Sequence, residues 1–333
     1  MRSQLLELLG ALCAVGWTAM TSAAERAPLV LEAKVPLGDV RGRIDHLAVD
    51  VAHQRLFIAE LGNNTVAVVD VHARKVVRRL AGFDEPQGVA YFAQTDTLYV
   101  ANGGDGELRA FRGTQLESAG KLALGDDADN IRIDRDEGRL YVGAGNGNLA
   151  IVDAAALKKV GEIALKGHPE SFQLENEGSK IYVNVPDARE VAVVDRKTNK
   201  QIASWRTAEM RSNYPMALDS TRRRVLVAFR QPAVLVSFDA ASGAVQERIE
   251  ICGDADDVFV DPRRGYIYVA CGQGAIDVLT HHGDRTTRLA RVNTSSGART
   301  ALFAPELDRL FLAVRAAGGE GASVWQFRPA DSP

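Results

Sequence analysis

Along this chain the apolar positions gather into short runs that return at a near-constant interval. One four-residue run recurs: a bulky apolar residue, an aromatic or apolar one, a β-branched or apolar one, then a small one. It reads Leu56-Phe57-Ile58-Ala59, Leu98-Tyr99-Val100-Ala101, Leu140-Tyr141-Val142-Gly143, Ile181-Tyr182-Val183-Asn184, Val225-Leu226-Val227-Ala228, Ile267-Tyr268-Val269-Ala270 and Leu310-Phe311-Leu312-Ala313. Its second residue falls at 57, 99, 141, 182, 226, 268 and 311, so seven copies, 41 to 44 residues apart, span most of the chain. Within the first period, Leu47 to Asp50, Leu56 to Glu60, Thr65 to Asp70 and Lys75 to Leu80 each carry the alternating or β-branched content of a short strand. Gly62-Asn63-Asn64 between two of them suits a turn. No stretch after the first two dozen residues sustains a 3.6-residue apolar period, so helices are expected to be minor.

Four strands in about 42 residues, repeated in register, is the signature of a propeller. The expected fold is therefore all-β: a seven-bladed β-propeller with four antiparallel strands per blade. The seventh unit, Arg299 to Phe327, holds only three strands. The N-terminal segment Leu29 to Leu37, with Val30, Leu31 and Val35 as its apolar content, is expected to complete the last blade.

Residues 1–24 stand apart from the repeat. Arg2 is a basic start, Leu8 to Met20 an apolar stretch, and Ser22-Ala23-Ala24 offers small residues for cleavage, the layout of a secretory signal peptide. The expected organisation is thus a 1–24 signal peptide and a single 25–333 propeller domain, placed in the periplasm or secreted. The later sequence has no apolar run long enough to span a bilayer. With 40 basic and 43 acidic residues, the formal net charge of −3 does not point to a nucleic-acid partner. Beyond the leader two cysteines remain, Cys252 and Cys271, and in an exported chain they are expected to form a disulfide.

Candidate chemistry comes from aligning the repeats. Twelve residues before each aromatic anchor lie Asp45, Gln87, Asp129, Glu170, Tyr214, Asp256 and Arg299, and one step on lie His46, Gly88, Asn130, Ser171, Pro215, Asp257 and Thr300. These positions lead into strand one of each blade and should ring the mouth of the central channel. The ligand-binding set expected there is Asp45, His46, Gln87, Asp129, Asn130, Glu170, Tyr214, Asp256, Asp257 and Arg299. Blades three and six share an acidic lead-in, Gly125-Asp126-Asp127-Ala128-Asp129 and Gly253-Asp254-Ala255-Asp256-Asp257. Converging carboxylates raise one another's pKa or recruit a hard divalent cation, for which Asp129 and Asp256 are the candidate metal ligands. His46 and His168 lead into blades one and four as candidate acid–base groups. No nucleophile elbow, His-Glu-x-x-His zinc pair, phosphate-binding glycine loop or Cys-x-x-Cys-His haem site occurs.

The runs Tyr99-Val100-Ala101-Asn102 and Gly62-Asn63-Asn64-Thr65-Val66-Ala67-Val68-Val69-Asp70 resemble those of the YVTN-repeat (YncE-like) β-propellers. The resemblance covers all seven units. It implies the propeller fold and an exported binding or surface protein, and it brings no catalytic motif. The expected function is an exported, non-catalytic propeller binding a small ligand or a protein partner at the mouth. The alternative is a metal-assisted hydrolase or lactonase, with a divalent cation held by the mouth carboxylates.

Overall fold

A computed structural model describes residues 27–145 and 147–331. The expected signal peptide lies outside the described residues. Seven four-stranded antiparallel sheets follow one another along the chain. The first blade comprises Leu47–Asp50, Arg55–Glu60, Thr65–Asp70 and Lys75–Ala81. Blades two to six start at Pro86, Ile131, Phe172, Arg211 and Ala255. In the seventh, Ala301–Ala304, Arg309–Val314 and Ala322–Pro329 are completed on the outside by Leu29–Gly38. Strand one is innermost in every blade. Consecutive first strands touch, and that of the seventh blade touches that of the first, so the ring closes around an axis. Helical structure among the described residues is limited to three single 3₁₀ turns, and no helix is long and apolar enough to cross a membrane.

The recurring run forms strand two, where side chains alternate between the two faces of the sheet. Phe57 and Ala59 pack against Leu98 and Val100 of the next blade, while Leu56 and Ile58 pack against Phe311 and Ala313 of the previous one. Each of the seven clusters of buried apolar side chains repeats this scheme at one boundary between neighbouring blades. The seven anchors are at most 2% exposed. Tyr99 and Tyr182 bury their rings while their hydroxyls donate to the carbonyls of Ala154 and Ala240, at 2.7 and 2.8 Å. Truncating one such aromatic costs about 3–5 kcal/mol, because a wedge-shaped cavity cannot collapse without moving a whole blade.

The closing strand departs in detail from expectation. Val30 and Leu31 are exposed, and its buried apolar side chains are Leu29, Val35 and Leu37. A bulge between Leu31 and Ala33 shifts the alternation by one residue, turning Val30 and Leu31 outward. Glu32 at this bulge pairs with Arg328 at 2.8 Å and Arg309 at 2.9 Å, fastening the strand to the rest of its blade.

Deleting residues 27–38 leaves the strand Ala322–Pro329 as a bare edge and opens the apolar faces of blades one and seven. The expected outcome is a Tm lower by more than about 10 °C and soluble aggregates in size-exclusion chromatography. A monomer with unchanged Tm contradicts the closure.

Candidate functional site

In blades one to six the channel-mouth position is built by a β-bulge. Asp45 donates its N–H to the Ala59 carbonyl, and Ala59 donates in turn to the His46 carbonyl, so two residues oppose one. The same two-for-one arrangement sets Asp129 and Asn130 against Gly143, and Glu170 and Ser171 against Asn184. In blades two, five and six the register shifts fall at Pro86/Val89, Asn213/Met216 and Ala255/Asp257, enclosing Gln87, Tyr214 and Asp256. The small residue ending the recurring run is thus the one a bulge folds over. Gly88 shows how tight the ring is: a Cβ there would lie 2.0 Å from the Asp129 carbonyl oxygen of the next blade. In blade four Asn184 takes the small position, and its amide donates to the Tyr214 carbonyl at 3.1 Å.

Eight of the ten expected residues line one axial cavity: Asp45, His46, Asp129, Asn130, Glu170, Tyr214, Asp256 and Asp257. Its volume is about 50 Å³. That holds one or two waters or one small ionic group, and it is far below the roughly 300–1,000 Å³ of drug-sized pockets. Gln87 stands aside, donating to Asp127 Oδ1 at 2.9 Å. Arg299 lines a smaller adjoining cavity and pairs with Asp254 at 2.7 Å and Asp256 at 3.0 Å. Arg43 and Arg132 line the axial cavity unforeseen. Both were findable, because in extended backbone residues two apart share a face, and they lie two residues from Asp45 and Asn130. His168 approaches from behind Asp129.

The charges are unevenly matched. Asp129 lies between two imidazoles, 3.5 Å from His46 Nε2 and 3.9 Å from His168 Nε2. Burial alone would raise its pKa, but these partners hold it below the usual carboxylate range. Burial likewise opposes the charge on His46, yet Asp129, Asp45 and Asp257 outweigh it and lift the pKa to about 9. His168 also rises to about 9, chiefly through Asp129, with its Nδ1 bonded to the Gly145 carbonyl at 2.8 Å. Asp45 is held by Arg43 at 2.7 Å, and burial still raises its pKa. Asp256 is held by Arg230 and Arg299, and the Arg230 guanidinium also lies 4.2 Å over the Tyr214 ring. Glu170 and Asp257 differ, because neither makes an ion pair among the described residues. Burial, then the neighbouring Asp129 charge, pushes Glu170 to about 7. Burial also pushes Asp257 to about 7, although it accepts the Ala301 N–H at 2.7 Å.

Asp129 and Asp256 line the same cavity, but each is engaged by cationic side chains. Among the described residues no group of three or more His, Cys, Asp or Glu side chains converges as metal ligands do. Cys252 and Cys271 are joined at the same face of blade six, Sγ to Sγ at 2.00 Å with the Cα atoms 5.8 Å apart. Closing that loop stabilises the fold by about 3 kcal/mol. His281, by contrast, sits at the opposite face near Asp219.

No family model matches the chain, and no curated protein matches it in sequence. Among solved structures it is similar to a chain of the Kuenenia stuttgartiensis hydrazine synthase, with a TM-score of 0.77 at 16% identity, covering 88% of this chain and 97% of that one. It is also similar to a chain of the mitotic checkpoint complex, with a TM-score of 0.74 at 13% identity, covering 98% of this chain and 99% of that one. At such identities the likeness establishes the propeller fold alone.

The mouth makes stability depend on pH. Glu170 and Asp257, raised to about 7, hold protons in the folded state that the unfolded chain releases from about pH 4 upward. His46 and His168, raised to about 9, hold protons that the unfolded chain releases near 6.5. Stability therefore falls as pH rises through both windows. Thermal unfolding should show Tm dropping by about 5 °C from pH 6 to pH 9, with His168→Gln removing much of the fall. A flat Tm over that range contradicts the assigned protonation.

Proposed function

We propose that this chain is an exported, non-catalytic propeller of YVTN-repeat, YncE-like character whose mouth captures a compact cationic group. That group is an ammonium or guanidinium carried by a small ligand or by a side chain of a protein partner. The observation carrying this reading is that Glu170 and Asp257 face a cavity of about 50 Å³ without a direct ion pair, although His46 and Arg132 line the same chamber, so the carboxylates outnumber the cations on its wall. Buried carboxylates without partners are costly, and a desolvated cation of matching size relieves that cost. Asp45, Ser171 and Thr300 supply further acceptors on the same wall.

A metal-assisted hydrolase would route its cation through Asp129 and Asp256. Salt bridges of those two carboxylates to His46, His168, Arg230 and Arg299 compete with that role. The basic start and apolar stretch of residues 1–24 and the Cys252–Cys271 bond support export, since disulfides persist in oxidising compartments.

Two experiments test these readings. NMR titration with n-butylamine should show shifts confined to mouth residues, and binding about ten-fold tighter at pH 8 than at pH 6, as Glu170 and Asp257 ionise. Binding should be lost in the Glu170→Gln, Asp257→Asn double variant. Pan-surface shifts, or affinity indifferent to pH and to that variant, overturn the cationic reading. For export, the tagged full chain expressed in a Gram-negative host should be recovered by osmotic shock with an N-terminus near residue 25. Intact chain confined to the cytoplasm overturns it.

A further inference from the structure

The repeat supplies an internal control for the other side of the mouth. Four residues after the anchor, at the end of strand two, the seven blades carry Leu61, Gly103, Gly145, Pro186, Arg230, Gly272 and Arg315. Only blades five and seven place an arginine there. Fourteen residues before the anchor of the following blade, Arg230 meets Asp254, at 3.1 Å, and it also pairs with Asp256. For Arg315 the following blade is the first, and the residue at the corresponding place is Arg43. An arginine–carboxylate contact in one half of the ring is thus an arginine–arginine neighbourhood in the other.

Arg315 and Arg43 line a small cavity together with Arg299, Gly297 and Thr300. Arg43 is tied to Asp45, and Arg299 to Asp254 and Asp256. Arg315 has no carboxylate partner among the described residues; its guanidinium donates only to the Gly297 carbonyl, at 3.1 Å. Gly297 has φ +79°, and a Cβ there would lie 3.0 Å from Arg315 Nη2, so glycine is what lets the guanidinium lie against this turn. This arginine-lined cavity adjoins the axial one, since Arg43, Asp256 and Thr300 line both.

We infer that the mouth is built for a bipolar ligand, a small ω-amino acid or a molecule ending in one. Its ammonium enters the carboxylate chamber, and its carboxylate lies against Arg315 at the rim between blades seven and one. The excess of carboxylates on the axis, where Arg132 and His46 face five acidic side chains, and the guanidinium without an ion pair at the rim are complementary to the two ends of such a molecule. The axial chamber is too small for the whole ligand, which places the anionic end outside it, where Arg315 stands. A guanidinium fits a carboxylate in bidentate geometry, giving direction as well as charge.

This inference rests on the cationic reading of the axial chamber, and the experiment separates the two. NMR titrations at pH 8 compare 4-aminobutyrate, β-alanine and n-butylamine, on the unmodified chain and on Arg315→Gln. At least one ω-amino acid should bind about ten-fold or more tightly than n-butylamine. Arg315→Gln should bring it down to the n-butylamine level, leaving n-butylamine affinity and Tm unchanged. If the amine and the amino acids bind alike, or if Arg315→Gln weakens both equally, the bipolar reading falls while the cationic one stands. If none of the three binds at the mouth, both fall.

Discussion

A four-stranded sheet that is apolar on both faces is insoluble by itself, and every other feature of this chain follows from how that difficulty is met. Alternation along strand two sends the anchor and the small residue toward the next blade and the flanking aliphatic residues toward the previous one. No blade has a finished face until both neighbours are present. Burying apolar area contributes roughly 25 cal/mol per Å², and here almost all of it lies at boundaries between blades. Stability is therefore a property of the closed ring, and the outermost strand of the seventh blade, Leu29–Gly38, is the piece on which closure turns.

The ring also separates support from chemistry. Apolar residues along the blades fix the scaffold, while two-for-one bulges at the mouth lift short polar segments clear of it. The structural neighbours, at 13–16% identity, share the scaffold and need share nothing at its mouth. What distinguishes this chain is the local charge balance: imidazoles answering Asp129, arginines answering Asp256, and no direct ion pair at Glu170, Asp257 or Arg315 among the described residues.

The architecture was legible in the sequence because each period repeats the same alternation, and seven copies make chance agreement negligible. The column containing Asp45, Asp129, Glu170 and Asp256 was legible for the same reason, since equal offsets from a repeated anchor map to equal places in a ring. What escaped depended on single-residue irregularities. The bulge after Leu31 reversed the faces of Val30 and Leu31, and periodicity carries no mark of an inserted residue. Gln87 occupies the right column, yet Asp127 of the next blade draws its amide aside, a contact between residues 40 apart in sequence. Arg43 and Arg132 lie outside that column, two residues before Asp45 and two after Asn130, where no repeated residue type marks the ring.

The topology of the last blade also governs the order in which the molecule can be made. Its outer strand, Leu29–Gly38, leaves the ribosome well before its three partners, from Ala301 onward. Until those partners arrive, Leu29, Val35 and Leu37 have no sheet to join, and blade one lacks a neighbour on one side. The final pairing joins residues as far apart in the chain as Leu29 and Pro329, so its loop-closure entropy is met only at the end of assembly. A chain of this design stays open until Ala322–Pro329 has emerged, and only then can the ring lock.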